Sequence, residues 1–475
     1  MAKKIGLVLG PIVFLILYNY PGTILSEAAD EVLSIAAWMI IWWITEAVSI
    51  SVTALIPLTF FPLLGIGDMK SVAASYGSPI VFLFFGGFVM ALALEKVNLH
   101  RRIALNIIKL TGTSPNRVVL GFMIATASLS MWISNTATTV VMLPIAMSVI
   151  HLLIDDSDGF TENDRNFALS LMLAIAFSAN VGGIATIIGT PPNVVMVGFM
   201  EQTYNADISF LKWMMIGLPF SCFMIFIIYQ LLVKIIFPNK LQLIEEGEKL
   251  IESELEKLGP INRVERQVLM IFLCTMLLWI FRVYIDAAIP FIKLSDAGIS
   301  MLAAMALFSI PFKMNLLQFI LEWEDTSRLP WGILILFGGG LALATGLSNA
   351  GVIDMIGSAI ASQPNLSVLL VGVILVTVVL FMTELMSNVA LVAIMAPMIA
   401  GVALGLDQEV LHMLIPATMA SSCAFMLPMA TPPNAIVFAS GFVKVHEMAK
   451  AGVFLNVISI IILIVMMKWL IPLVF

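Results

Sequence analysis

The chain has 475 residues, 61% of them hydrophobic and only 11% charged, with a formal net charge of −7 and a mean hydropathy of +1.07. Ordinary soluble domains carry about 45–50% apolar and about 25% charged residues, so this composition excludes a water-soluble globule, a disordered chain, a collagen-like repeat and a disulfide framework. A net negative charge offers no attraction to phosphate backbones, which excludes nucleic-acid binding, and leaves a polytopic all-α membrane protein.

Runs of about 20 apolar residues are needed to span a bilayer as helices. In chain order they fall at 5–25, 31–50, 52–66, 79–95, 166–203, 210–237, 267–285, 297–310, 330–347, 409–441 and 450–474. That reading predicts 11 transmembrane helices. The first run follows Lys3 and Lys4 and reads as an uncleaved signal-anchor. The segment 98–110 (NLHRRIALNIIKL) sets Arg101, Arg102 and Lys109 beside an apolar stripe, the pattern of a helix lying in the interface plane. Two further apolar stretches, 118–150 and 367–403, are interrupted by polar tripeptides and read either as pairs of crossings or as re-entrant hairpins. The polar stretch 239–267 contains EEGEKLIESELEKLGP and predicts a short, solvated surface helix linking two halves.

Placing the N-terminus in the cytosol assigns eighteen of the 23 Lys and Arg residues to the inside. Lys70, Lys212, Arg282, Lys293 and Lys468 fall outside. The asymmetry predicts a cell-membrane protein with N-in, C-out topology. Cys222, Cys274 and Cys423 lie in apolar runs, and the four histidines lack the spacing of a zinc helix.

Three landmarks occur twice in the same order. LFFGG (Leu83–Gly87) returns as ILFGG (Ile335–Gly339), and Ser134-Asn135-Thr136 returns 253 positions later as Ser387-Asn388-Val389. Thr190-Pro191-Pro192-Asn193 returns 241 positions later as Thr431-Pro432-Pro433-Asn434. The two TPPN spans are separated by an odd number of crossings, so the halves run in opposite directions, the architecture of secondary transporters.

The motifs have a physical reading. Two successive prolines remove two backbone donors and force a helix to break and restart. Inside a membrane, such a break persists only where protein or a polar cavity satisfies the freed groups. Carbonyls at the end of the first limb can coordinate a cation, and amides at the start of the second can bind an anion. Ser and Asn at the hairpin tips can cap the second limb, and they also offer oxygens suited to Na⁺ and amide donors suited to carboxylate. The core of the repeats holds no Lys or Arg, so a bound anion must be neutralised by helix N-termini and co-bound cations. Glu46 and Glu384 lie in apolar surroundings: Glu46, nearer a span end, is expected to be structural, and Glu384, just before the second tip, is a candidate for either a proton pathway or a local structural role.

SLSMWISNTATT (Ser128–Thr139), the repeated SN tip, both TPPN breaks and SSCAFMLPMATPPNAIVFASG (Ser421–Gly441) resemble the divalent anion:sodium symporters across essentially the whole chain. WITEAV, NLHRRIAL and LFFGGF are most similar to the branch of sodium-coupled dicarboxylate and citrate carriers. The resemblance implies an inverted repeat with two re-entrant hairpins, working as an elevator-type homodimer. It implies a scaffold at 1–117 and 267–366, a transport part at 118–237 and 367–475, and a cytosolic linker at 238–266.

By position, the resemblance implies one Na⁺ site at Ser130, Ser134, Asn135 and Gly189, and a second at Thr383, Met386, Asn388 and Ala430. The substrate carboxylates would meet Asn135, Thr136, Thr190, Ser387, Asn388, Val389, Thr431 and Pro432. Val389 stands where some members have threonine, and Thr190 where some have serine, which bears on substrate preference. The expected activity is Na⁺-coupled symport of C4-dicarboxylates such as succinate, malate and fumarate. Exchange or a citrate preference on the same fold are the alternatives. A membrane-embedded enzyme is the remote one, since no nucleophile, base or metal cluster is visible.

Overall fold

The computed structural model describes residues 2–19, 26–112, 114–153, 161–239, 241, 245–289, 291, 293–313, 318–363 and 366–475. Residues 20–25, the end of the first expected span, lie outside the described set. The chain opens with α1 (Ala2–Asn19), α2 (Glu27–Thr45), α3 (Ile50–Thr53), α4 (Ile56–Leu63), α5 (Met69–Tyr76), α6 (Pro79–Lys96) and α7 (Leu99–Thr111). The first hairpin is α8 (Pro115–Ser130) and α9 (Asn135–Leu153), and the first broken helix is α10 (Glu162–Ile184) and α11 (Pro191–Tyr204). After α12 (Phe210–Tyr229), which runs into a π-helical turn at Gln230–Ile236, come α13 (Glu245–Leu258), α14 (Arg263–Ala288) and α15 (Asp296–Ser309). A small antiparallel hairpin, β1 (Pro311–Lys313) with β2 (Gln318–Phe319), precedes α16 (Trp331–Asn349) and α17 (Val352–Ala361). The second hairpin is α18 (Val368–Met382) and α19 (Asn388–Gly405). The second broken helix, α20 (Val410–Ser421) and α21 (Pro432–Ala439), is followed by α22 (Val445–Trp469) and α23 (Ile471–Val474).

Among the described residues, nine helical segments are long and apolar enough to cross a membrane, and six shorter apolar ones accompany them. The expected span at 52–66 is not one helix. Pro57 has no N–H to donate, so the chain turns at Ala54–Leu55 and restarts as α4. A capping box between Thr161 and Asp164 starts α10, whose spanning window is mostly apolar and wholly buried. It packs against α8, α9, α12 and α21.

The paired glycines of the first landmark serve close helix packing. A Cβ on Gly86 would lie 2.6 Å from the Ser300 carbonyl oxygen on α15, and one on Gly339 would clash with the backbone at Ala54. Lys96 at the end of α6 pairs with Asp325 just ahead of α16 (2.6 Å), so these equivalent helices run in opposite directions, and Phe84 meets Phe337 where they cross, with ring centroids 5.0 Å apart. The repeat also extends further than the three landmarks. Asn98 and Gly351, both with left-handed backbone (φ 57° and 75°), turn the chain into α7 and α17. Each of these helices joins the GG helix of its half to the following hairpin.

The surface helix expected between the two halves is present as α13, and it is anchored to the rest of the fold. Helix α13 packs on α7 and is tied to it by charge: Arg101 pairs with Glu254, and Lys109 with Glu252 at 2.8 Å. Arg102 reaches Glu265 at 2.7 Å and the carbonyls of Gly259 (2.8 Å) and Leu258 (3.1 Å). Glu254 is held below the ordinary carboxyl range, first by its hydrogen bond from Lys257 and then by Arg101. Because that carboxyl is depressed in the fold, the stability it adds is present at neutral pH and is lost as pH falls through the carboxylate range.

Ion pairs further sort the surface. Lys3–Glu46, Lys96–Asp325, the α7–α13 pairs and Arg165–Glu447 each join groups that the charge count places on one face. Arg282 with Asp207 and Asp296, and Lys212 over the Phe475 ring, belong to the other face. Glu46 is accordingly a helix-terminal residue paired with Lys3 at 3.1 Å, a structural part.

Candidate functional site

At the first tip, Met131–Ser134 turns the chain between α8 and α9. The Ser130 hydroxyl lies 2.6 Å from Asn135 Oδ1 and 2.8 Å from the carbonyl oxygen of Ala179 on α10. At the second tip, Thr383 Oγ1 lies 2.7 Å from Asn388 Oδ1 and 2.5 Å from the carbonyl oxygen of Ser421 on α20. Each half therefore gathers a hydroxyl, an amide oxygen and a helix carbonyl, three hard neutral oxygens. With the amides oriented this way, the single hydroxyl proton serves only one of its two acceptors. The third oxygen faces oxygen, an arrangement that a small cation relieves.

The TPPN segments behave as the prolines dictate. Helix α10 stops before 185–190, and Thr190 in extended backbone precedes α11. Helix α20 stops before 422–431, and Thr431 caps α21. The asparagine of each motif staples the unwound stretch. Asn193 Nδ2 donates to the carbonyls of Thr186 (2.8 Å) and Gly183 (3.4 Å); Asn434 Nδ2 donates to those of Leu427 (3.1 Å) and Ala424 (3.0 Å). These are the same two positions in each repeat, 241 residues apart. The first break also needs a glycine: a Cβ on Gly183 would lie 2.5 Å from Asn135 Oδ1 and 3.1 Å from the Gly189 carbonyl oxygen. Ser130, Asn135, Gly183 and Gly189 are thus neighbours.

Glu384 resolves as a structural acceptor. It is buried, and its carboxylate receives the backbone N–H groups of Phe425, Met426 and Leu427 at 2.9–3.2 Å and the Asn456 amide at 2.9 Å. These donors are the backbone freed by the second break. In the first half the aligned position is Met131, whose carbonyl accepts the Thr186 hydroxyl at 2.5 Å, and Thr186 in turn accepts the Gly189 N–H at 3.0 Å.

The halves interlock. Helix α21 packs on α9, and α11 packs on α19, so the restarted limb of each broken helix meets the hairpin of the other half. Asn180 of α10 donates across the join to Thr431 Oγ1 (3.1 Å) and Asn434 Oδ1 (3.3 Å). Four helices begin at expected site residues or their immediate neighbours: Asn135, Pro191, Asn388 and Pro432. Their positive ends stand where Lys and Arg are absent.

The other expected residues are placed less tightly. Ser134 is exposed and caps α9 through the Ala137 N–H (3.2 Å), whereas Ser387 makes no such cap. Thr136 and Pro432 are exposed, Met386 and Val389 are half-buried, and Thr190 and Ala430 are buried. The tips also differ in cover. Trp132 stacks on Phe210 and Trp279, with centroids 5.9 and 6.5 Å away, while Leu385 at the second tip is 73% exposed. Asn180, Thr186 and Asn456 were not anticipated as site residues. Asn193 and Asn434 stood in the quoted motif without a role.

Paired hairpin tips and paired helix breaks, brought together from two oppositely running halves of an apolar helical chain, define a membrane transporter. The chain matches the family described as the sodium:sulfate symporter transmembrane region over residues 2–475, and it belongs to that family. It is 39% identical over 477 residues to the sodium-dependent dicarboxylate transporter SdcS of Staphylococcus saprophyticus, covering 99% of this chain and 92% of that one. The Staphylococcus aureus protein of the same description is 39% identical with the same coverage. Among solved structures, the fold resembles MtrF of Neisseria gonorrhoeae (TM-score 0.59, 12% identity, 96% and 97% of the two chains). It also resembles the YdaH transporter of Alcanivorax borkumensis (TM-score 0.58, 12% identity, 86% and 88%).

Proposed function

We propose that the chain carries C4-dicarboxylates such as succinate, malate and fumarate across the cell membrane together with Na⁺. The observation that carries this reading is the matched pair of oxygen clusters, Ser130–Asn135–Ala179 and Thr383–Asn388–Ser421, in a site without Lys or Arg. Helix ends supply only partial charges whose effect falls off within the first turn, so they hold a dianion far more weakly than full counter-charges bound beside it. Sodium bound first at both tips supplies the missing positive potential and fixes the tip amides toward the substrate. Asn135, Thr136, Thr190, Ser387, Asn388, Thr431 and the backbone beside Val389 and Pro432 then receive the carboxylates. Ser130, Ser134, Asn135 and Gly189 hold one ion; Thr383, Met386, Asn388 and Ala430 hold the other. The 39% identity to proteins described as sodium-dependent dicarboxylate transporters supports the same assignment.

In this reading the protein is a homodimer with an N-terminus in the cytosol and a C-terminus outside. A scaffold (1–117, 267–366) and a moving part (118–237, 367–475) are connected by α7 and α17. Radiolabelled succinate uptake into proteoliposomes, driven by an inward Na⁺ gradient, tests the assignment. Uptake unchanged on replacing Na⁺ with choline sinks the coupling. A strict need for preloaded succinate would identify an exchanger, and stronger competition by citrate than by malate would shift the substrate.

A further inference from the structure

Thr431 and Thr190 occupy equivalent positions but not equivalent hydrogen-bonding states. The Asn434 amide is oriented by the Ala424 and Leu427 carbonyls, which only an NH₂ can face, so its Oδ1 is turned toward Asn180. The Asn180 amide is oriented in turn: its two N–H protons have three acceptors in reach, that Oδ1, the Ala424 carbonyl at 3.4 Å and Thr431 Oγ1, whose 3.1 Å contact is the shortest and takes one of them. Thr431 Oγ1 also accepts the Asn434 backbone N–H at 3.4 Å. A hydroxyl has two acceptor positions and one proton. With both acceptor positions taken by N–H groups, and no acceptor for its proton among the described residues, the Thr431 hydroxyl is left as a donor.

We propose that Asn180 is a positioning residue that fixes the Thr431 hydroxyl as an obligate hydrogen-bond donor to a substrate carboxylate, an inference that rests on the dicarboxylate reading above. A carboxylate only accepts hydrogen bonds, so a hydroxyl already polarised as a donor meets it without first breaking another bond. Among the described residues, Thr190 has no such partner. The residue aligned with Asn180 in the second half is Ser421, whose hydroxyl turns back to the Thr418 carbonyl at 2.7 Å, and the Thr190 side chain makes no capping bond. One end of the dianion is therefore read by a fixed donor, the other by a rotatable hydroxyl. Asn180 also follows Ala179, whose carbonyl belongs to the first oxygen cluster. The two neighbouring residues of α10 thus serve a cation site and a substrate contact.

The test is a double-mutant cycle on Na⁺-driven succinate uptake in proteoliposomes, using Asn180→Ala, Thr431→Val and both together. Each single change is expected to raise the half-saturating succinate concentration about 10-fold with little change in maximal rate, the size of one lost hydrogen bond to a charged group. The double variant is expected to be no worse than the more affected single one, because Asn180 acts through Thr431. Asn180→Leu keeps the size and removes the donor without adding a charge, and it runs the same cycle if the alanine variant does not fold. Multiplying effects in the double variant, or wild-type half-saturation in Asn180→Leu beside an impaired Thr431→Val, overturns the proposal while leaving dicarboxylate transport standing. Wild-type vesicles that take up no succinate overturn both.

Discussion

The two breaks start from the same tetrapeptide and are stapled by the same asparagine, yet they are finished differently. In the first, 185–190, the unwound stretch is short, and Thr186 ties it to the Met131 carbonyl with one hydroxyl. In the second, 422–431, the chain leaves the helix earlier and frees three consecutive N–H groups, which a single buried carboxylate, Glu384, collects. What the halves share is the oxygen cluster at each tip. What differs is how the exposed backbone is paid for. The tip geometry repeats, while each half solves its own problem of unpaired backbone, a problem that is severe in a bilayer.

The largest effects are expected where the halves agree. Asn135→Ala and Asn388→Ala should each reduce Na⁺-driven uptake by well over ~10-fold if, as proposed, each asparagine serves as a cation ligand and a carboxylate donor together. The variants should still fold, which size-exclusion chromatography checks. Wild-type rates in either would reduce that tip to a helix cap. Next, Glu384→Gln turns an acceptor-only group into one that presents an NH₂ to N–H donors. It should lower unfolding stability by about 2–3 kcal/mol, read as a drop in thermal midpoint, with a pH dependence of uptake like that of the wild type. A changed pH profile with unchanged stability would return Glu384 to a proton pathway.

Smaller effects separate the halves. Gly183→Ala should raise the half-saturating Na⁺ concentration about 10-fold, because its Cβ would press on Asn135 Oδ1. The aligned residue of the second half is already an alanine, Ala424, and Ala424→Gly should leave Na⁺ affinity near wild type. Equal effects at the two positions would break the distinction. Smallest, Thr186→Val removes one hydroxyl that makes two hydrogen bonds and should cost about 1 kcal/mol, less than Glu384→Gln in the same thermal measurement.

Much of this was legible from the chain because proline acts locally. Pro191-Pro192 and Pro432-Pro433 have no donors to give, so the breaks follow from the residues themselves. The role of Glu384 was not legible, because its partners lie 41 to 72 residues away and only the fold brings them together. The Asn180 link spans 251 residues for the same reason. The run 52–66 reads as one span on hydropathy alone, although Pro57 inside it lacks the N–H that would carry the helix through Ala54–Leu55. Helix α17 escaped notice because Val352–Ala361 carries a single charge, Asp354, while its counterpart α7 is marked by Arg101, Arg102 and Lys109. The α7–α13 strap needed the partners of those same charges, which sit in a segment that reads by itself as solvated.

The most direct test of paired cation sites serving one anion site is the Na⁺ dependence of succinate uptake in proteoliposomes. Two ions binding before the dianion give a sigmoidal curve with a Hill coefficient above ~1 and no uptake when choline replaces Na⁺. A hyperbolic curve, or uptake indifferent to Na⁺, contradicts it.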